Sequence, residues 1–142
     1  MNLMKKAIRI AIALLAASLL AVSCSKTASN TFALLGKWEL IRTDITTNGH
    51  TETVFPTDLI TYVEFHSGDE YLWIEVDFGG TTSKSGRWYV DDDILTLTQT
   101  GGSHRVFRIE ETGFTRLVLS ETITTGGVTT VYRDTYRYVS SN

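Results

Sequence analysis

The stretch GRWYVDDDILTLT, residues 86–98, sets two strand-like runs on either side of three consecutive aspartates. In the second run, Leu95 and Leu97 alternate with threonines, and this period of two is typical of a half-buried β-strand. Aspartate favours tight turns because its short side chain hydrogen-bonds to the nearby backbone. The stretch therefore predicts a β-hairpin.

Similar turn signals recur at intervals of about 10 to 13 residues, at Ser67-Gly68, Gly79-Gly80, Asp91–Asp93, Gly101-Gly102, Thr112-Gly113 and Gly126-Gly127. Eight strand-like runs lie around them, at residues 36–43, 59–66, 70–78, 81–90, 94–100, 103–111, 114–125 and 128–139. Short, evenly spaced strands predict an all-β barrel or sandwich. Because the strands follow one another as sequential hairpins, an up-and-down barrel is favoured.

The first 23 residues have the organisation of a secretory signal peptide. A basic start with Lys5, Lys6 and Arg9 precedes an apolar run at residues 10–22. That run is too short to cross about 30 Å of hydrocarbon as a helix, and small residues follow it, as at a cleavage site. We expect residues 1–23 to be removed, with an uncleaved anchor as the alternative.

The lone cysteine, Cys24, follows this segment directly. The residues before it, LAVS at 20–23, resemble a bacterial lipobox, which implies that Cys24 is acylated and holds the protein at a membrane. The alternative is a cut nearby that leaves a free thiol. Residues 24–33 are small and polar and predict a tether. By analogy with lipoproteins, we expect a place in the cell envelope, on the periplasmic face of the outer membrane.

Charge excludes nucleic acid as an expected partner. The whole chain has 13 basic and 16 acidic residues. Residues 1–23 hold three of the basic residues and no acidic one. Residues 24–142 therefore have 10 basic and 16 acidic residues, a net charge of about −6. Nucleic-acid binding needs clustered Lys and Arg.

One segment between two predicted strands lacks the alternating pattern of a strand. Residues 44–58, DITTNGHTETVFPTD, show no strand period and predict a long loop. Loops of this length are often lids or binding loops. Val54 and Phe55 are its candidate lid residues, and a mobile surface loop is the alternative.

Four segments together carry a family resemblance: LLGKWELI at 34–41, YVEFHSGDEY at 62–71, GRWYVDDDILTLT at 86–98 and RLVLSET at 116–122. In this order, with two G-x-W motifs after a tethered cysteine, they resemble the small bacterial lipocalin-like lipoproteins. The resemblance implies an antiparallel, eight-stranded, up-and-down barrel over residues 34–142. It also implies structural roles for Gly36 and Trp38 at the closed end, with Arg133 or Arg137 stacked on Trp38.

Motifs for catalysis or metal binding are not evident. His50, His66 and His104 lie on separate segments without ligand spacing, so no metal or cofactor is expected. Glu75 and Asp77 share a strand face and form an acid–base pair only if that face lines a cavity. The alternative is a solvated face. We expect the protein not to be an enzyme.

Two functions remain open. A hollow barrel would bind a small hydrophobic or amphipathic ligand, with a lining of Tyr62, Tyr71, Trp73, Trp88 and Tyr132. A filled barrel would turn the same rings into core, because eight strands leave an interior only just wide enough for either outcome. The protein would then be an envelope protein-interaction module that presents Val54 and Phe55 to a partner protein.

Overall fold

The structure, a computed structural model, describes residues 26–141, which form one helix and nine strands. Helix α1 spans residues 26–34. The strands are β1 (Gly36–Thr47), β2 (His50–Val54), β3 (Ile60–Phe65), β4 (Glu70–Asp77), β5 (Gly80–Asp91), β6 (Ile94–Gln99), β7 (His104–Thr112), β8 (Arg116–Thr125) and β9 (Val128–Ser140). The predicted signal peptide (1–23) and acylation site (Cys24) lie outside the described residues.

Eight of the strands close into an antiparallel barrel. From β3 to β9 each strand pairs with the next in the chain, and β1 closes the ring by pairing with β9 along most of its length. The first part of β1 pairs with β3 from Gly36 to Glu39. The prediction of an all-β, eight-stranded, up-and-down barrel is confirmed.

The prediction of a long irregular loop at residues 44–58 is wrong. The second part of β1 continues to Thr47, turns at Asn48 and Gly49, and pairs with β2. Asn48 and Gly49 have φ of 51° and 76°, as a two-residue hairpin turn requires. Strand β2 is exposed at every position, so no apolar alternation marks it in the sequence. Only residues 55–59 remain irregular.

The described part of the predicted tether is a helix packed on the barrel. Its inner positions are Thr27, Asn30, Thr31 and Leu34, which have the i, i+3, i+4, i+7 spacing of one helix face. The Asn30 side-chain amide donates to the Asp92 carbonyl oxygen at 2.7 Å, and the Asp92 amide donates to Thr27 Oγ1 at 2.9 Å. Leu34 is fully buried. The helix therefore lies across one end of the barrel, which we call the closed end.

The first G-x-W motif fixes this closed end. Gly36 has a φ of 121°, and a Cβ there would lie 2.7 Å from Tyr138 Cε2, so only glycine fits. Trp38 packs edge-on against Tyr138 with ring centres 5.2 Å apart, and its indole N–H donates to the Leu34 carbonyl oxygen at 2.8 Å. Trp38 thus joins the helix to the barrel.

The second G-x-W motif repeats this arrangement. A Cβ on Gly86 would overlap the Thr98 carbonyl oxygen. Trp88 packs edge-on against Phe65 with ring centres 5.1 Å apart, and its indole N–H donates to the His66 carbonyl oxygen at 3.2 Å. Both tryptophans therefore combine apolar burial with a satisfied N–H, as buried indoles require.

The implied stacking of an arginine on Trp38 is wrong for both candidates. Arg137 Nη2 pairs with Glu39 Oε2 at 2.7 Å, and Arg133 pairs with Glu110 and Asp44. These residues alternate with the inward-facing tyrosines of β9, so both arginines lie on the outer face. The ring that contacts Trp38 is Tyr138.

Candidate binding site at the open end

The barrel interior is filled at the closed end. Side chains alternate between the inside and the outside along every strand of a barrel. The inward-facing residues near α1 form a buried core that includes Trp38, Val63, Phe65, Tyr71, Trp88, Leu95, Phe107, Leu117, Leu119 and Tyr136. These closely packed side chains fill this half of the barrel interior.

The opposite end of the interior is open to solvent. The strand register places a second set of inward-facing side chains there, all of them exposed or half-exposed: Ile45, Val54, Trp73, Glu75, Lys84, Arg105, Glu121, Ile123, Tyr132 and Asp134. We call this set the cup. It combines apolar surface with charged groups, which is the composition of a site that orients an amphipathic molecule.

Arg105 is the central cation of the cup. Its guanidinium carbon lies 5.1 Å from the centre of the Trp73 ring and 4.8 Å from that of Phe107. Its Nε donates to Glu121 Oε1 at 3.1 Å, and Nη2 donates to Oε2 of the same carboxylate. Bidentate pairing and stacking on two rings hold the guanidinium in one orientation.

Asp134 lies deeper, at the boundary between cup and core. Thr43 Oγ1 donates to its Oδ1 at 2.7 Å, and the Tyr136 hydroxyl donates to its Oδ2 at the long distance of 3.5 Å. Glu75 is the third carboxylate of this region and accepts a hydrogen bond from the Trp73 indole N–H at 3.2 Å. Lys84, opposite Trp73 in the register, is the second cation on this inner surface, so three carboxylates face two cations.

Burial shifts the pKa of several of these groups. It raises the pKa of Asp134, against the hydrogen bond from Thr43 and the charge of Arg105. It raises the pKa of Tyr136 well above the ordinary tyrosine value, and the negative charge of Asp134 adds to this. Burial acts to lower the pKa of Arg105, but hydrogen bonding and attraction to Glu121 outweigh it, so the pKa is raised.

The five residues predicted to line a cavity occupy three different places. Trp73 and Tyr132 lie in the cup. Tyr71 and Trp88 are buried in the filled core. Tyr62 is on the outer surface, where Lys37 Nζ lies 4.4 Å from its ring centre. The prediction of a lining role is therefore wrong for Tyr62, and Tyr71 and Trp88 are core residues.

The other candidate residues are also separated. Val54 is inward-facing at the rim, and Phe55 follows it in the connection to β3; they are 42% and 62% exposed. Their role as a lid stays a prediction. Glu75 is bonded to Trp73, whereas Asp77 accepts a hydrogen bond from the Gly79 amide in the next turn. Each carboxylate thus has its own partner.

The three histidines do not converge. His50 is on β2 and His104 on β7, and His66 Nε2 lies 3.2 Å from Glu64 Oε2 after β3. Within residues 26–141, no group of three or more His, Cys, Asp or Glu side chains is placed to hold a metal ion.

Sequence reasoning missed the charged residues of the cup. Arg105 has the same strand parity as Phe107 and Ile109, so an arginine precedes two apolar residues on the inner face of β7. That position signals an interior cation. Glu121 follows Leu117 and Leu119 on the inner face of β8.

Comparison with known proteins agrees with this architecture. The family model for the lipocalin-like domain matches residues 34–119, more than half of the chain. The chain belongs to the lipocalin-like domain family. No curated protein is similar enough to this lipocalin-like chain to count as a match.

Solved structures show the same fold at low sequence identity. Lobster apocrustacyanin A1 is 12% identical, with a TM-score of 0.53 and a match that covers 82% of this chain and 67% of that one. Apocrustacyanin C2 is also 12% identical, with a TM-score of 0.52 and coverage of 80% and 64%. The lipocalin-like chain thus spans about two thirds of the length of these structures, and at this identity the likeness shows the fold alone.

Proposed function

We propose that the protein is a lipid-anchored lipocalin-like binding protein of the bacterial cell envelope, which holds a small amphipathic molecule in the cup. It is a binding protein and not an enzyme. The observation that carries this proposal is the division of the interior: the core fills the closed end, whereas at the open end Trp73 is half-buried and the Arg105 side chain is 46% exposed. A ligand held on this surface would enter from the rim.

The charges of the cup favour one class of ligand. Glu75, Glu121 and Asp134 are hydrogen-bond acceptors when ionised, and Arg105 is already paired with Glu121. A ligand whose polar end is an amine or a hydroxyl can donate hydrogen bonds to three carboxylates here. An anionic ligand would be repelled by these carboxylates and attracted mainly by Lys84. The apolar part of the ligand would contact Trp73, Tyr132 and the aliphatic side chains of the rim.

Fluorescence titration tests this proposal. Residues 25–142 are titrated with a long-chain alkylamine, a fatty alcohol and a fatty acid, and tryptophan emission is followed. We expect the amine and the alcohol to change the emission at lower concentration than the acid. Trp73→Phe should lose most of the response, because Trp38 and Trp88 are buried in the core. A response that is unchanged in Trp73→Phe would place the ligand elsewhere.

The anchor is proposed from Cys24 and its flanking residues. Among the residues that the structure describes, no helix is long and apolar enough to span a bilayer. Acyl chains on Cys24 would supply an attachment, since each buried CH₂ contributes about 0.8 kcal/mol. An aspartate directly after the acylated cysteine would resemble an inner-membrane retention signal, but this position is Ser25. We therefore propose that the protein lies on the periplasmic face of the outer membrane.

Metabolic labelling tests the anchor. Cells that express the full chain are grown with radiolabelled palmitate and fractionated. The wild type should carry label and sediment with the outer membrane. Cys24→Ala should be unlabelled and leave the membrane fraction. A Cys24→Ala chain that stays in the membranes would refute the anchor.

A second candidate function is recognition of a partner protein at the open end. The β4–β5 turn presents Phe78, which is 96% exposed, and Phe55 and Leu59 are exposed in the connection before β3. Exposed aromatic side chains are typical of interaction surfaces. A photo-crosslinking residue at position 78 should then capture one envelope protein in cells, whereas one at outer-face position 62 should not.

A further inference from the structure

The closed end carries an apolar surface that the barrel core does not use. Helix α1 and the β7–β8 turn border a groove of about 590 Å³. Phe32 on the helix is 75% exposed, and Phe114 in the turn is 99% exposed. Burial of a phenylalanine side chain is strongly favourable relative to its exposure to water. Two exposed phenylalanines beside one apolar groove therefore indicate an apolar partner.

The helix shows on which side this partner lies. Asn30 and Leu34 are on its inner face and contact the barrel or lie buried against it. Ala28, Ser29 and Phe32 are exposed, so they occupy the face that points away from the barrel. A partner that covers Phe32 thus approaches the closed end from outside.

Chain length places the proposed anchor at the same end. The described helix begins at Lys26, two residues after Cys24. Two trans peptide units span at most about 7.6 Å. From Lys26 to Phe32 the helix advances about 9 Å at 1.5 Å per residue. The acylated cysteine is therefore within about 17 Å of Phe32 along the chain.

Ion pairs reduce the charge of this end. Lys26 pairs with Asp92 at 3.4 Å, and Arg108 pairs with Asp93 at 3.1 Å. Two of the three consecutive aspartates are thus paired. Because no cluster of unpaired cations is formed by these groups, the surface suits apolar contact with lipid better than attraction to anionic headgroups.

We infer that the closed end docks onto the phospholipid bilayer that holds the acyl chains of Cys24, with Phe32 and Phe114 inserted among the headgroups. This inference rests on the proposed acylation. Docking fixes the orientation of the barrel, so the cup faces away from the membrane and exchanges ligand with the aqueous space. Strand β4 alone has eight residues, and its seven steps of about 3.3 Å at a tilt near 40° separate the two ends by about 18 Å.

Quenching of tryptophan emission by brominated phosphatidylcholine tests the orientation. The full chain is expressed in cells, extracted as the mature membrane-bound protein and reconstituted into phosphatidylcholine vesicles with or without bromine on the acyl chains. Phe114→Trp introduces a probe at the closed end. Phe78→Trp is its matched control at the open end, since both positions are almost fully exposed and both changes keep an aromatic ring.

The expected result is that the brominated lipid removes most of the emission that Phe114→Trp adds to the wild type, and leaves that of Phe78→Trp unchanged. Vesicle flotation in 1 M salt, where screening is nearly complete, should retain the protein and the same quenching. A protein that floats but shows equal quenching for both variants, or quenching of Phe78→Trp alone, overturns the docking. A protein that does not float overturns the anchor and the docking together, whereas ligand titration of residues 25–142 is independent of both.

Discussion

Arg105 and Trp73, on strands that are not neighbours in the sheet, meet across the barrel interior with the guanidinium carbon 5.1 Å from the ring centre. Strand β4 carries the ring and β7 the cation, so the contact bridges the lumen at the level where the core ends. The same guanidinium binds Glu121 on β8. These three side chains lie together on the inner surface of the cup.

Loss of the Arg105 charge should destabilise the barrel measurably. Arg105→Met keeps an apolar stem but removes the cation–π contacts and leaves Glu121 without its partner. Cation–π contacts contribute about 0.5–2 kcal/mol and a hydrogen bond to a charged group about 1.5–3. Since the Arg105 side chain is 46% exposed, we expect the lower range, a loss of about 1–2 kcal/mol in urea unfolding.

Arg116→Met is the control for this variant. Arg116 Nε lies 3.5 Å from Glu111 Oε2, and both side chains are about half-exposed. Exposed pairs of this kind contribute about 0–1 kcal/mol. If the two variants lose equal stability, the inner position of Arg105 has no energetic consequence.

The pH dependence of stability should reveal Asp134. Its folded pKa is raised above the unfolded value of about 3.8, so the folded state binds the proton more tightly. Wild-type stability therefore contains a contribution that falls as the pH rises from about 3.8 through the folded pKa. Asp134→Asn removes it. The unfolding free energy of Asp134→Asn minus that of the wild type should rise with pH across this window and then level off.

Asp44→Asn should show the opposite slope. Asp44 accepts hydrogen bonds from Thr53 Oγ1 at 2.6 Å and from Arg42 Nε at 3.0 Å, which lower its pKa. Its contribution to stability is present above the unfolded value and is lost as the pH falls through the folded pKa. The unfolding free energy of Asp44→Asn minus that of the wild type should therefore be negative at neutral pH and become smaller in magnitude in acid. Equal slopes for the two variants would mean that the assigned environments are wrong.

Gly36→Ala should be costly because two effects coincide. A Cβ meets Tyr138 Cε2 at 2.7 Å and the Ser140 carbonyl oxygen at 2.9 Å, and φ is 121°. Backbone strain of this kind costs about 1–3 kcal/mol, and the overlap adds to it. Gly80→Ala is the matched control, since φ is 131° but a Cβ there meets open space. Thermal unfolding should show the larger loss for Gly36→Ala, and equal losses would contradict the close approach.

The barrel was predictable from sequence because its turns and its alternating strands are local signals. Asp91–Asp93 and the paired glycines mark hairpins, and the eight predicted runs coincide with β1 and β3–β9 to within a few residues. Strand β2 escaped prediction because all five of its residues are exposed. Its pairing depends on the ladder with β1 and not on an apolar face.

The helix at 26–34 was hidden for a related reason. On its inner face, Thr27 and Asn30 form hydrogen bonds with the Asp92 backbone, and Thr31 donates to the Thr27 carbonyl oxygen within the helix. Only Leu34 is apolar and fully buried. A helical apolar period cannot reveal a face that docks through polar groups.

The binding site was predictable only in part. Alternation places Tyr71 and Trp73 on one face, but it does not show that the core stops between them, because that depends on how far α1 and the closed end fill the lumen. Tyr62 and Trp73 are both aromatic residues on neighbouring strands. The register nevertheless places Tyr62 on the outer face of the barrel and Trp73 on the inner face. Sequence composition does not reveal that difference.

The most direct test of ligand binding in the cup is native mass spectrometry of residues 25–142 after incubation with an envelope lipid extract. Three chains are compared: the wild type, Trp73→Ala in the cup, and Tyr62→Ala on the outer face. We predict a small-molecule adduct, lost on denaturation, in the wild type and in Tyr62→Ala, with at least about tenfold less in Trp73→Ala, equivalent to about 1.4 kcal/mol of binding free energy. No adduct on any of the three chains, or equal adduct on Trp73→Ala, would contradict ligand binding in the cup.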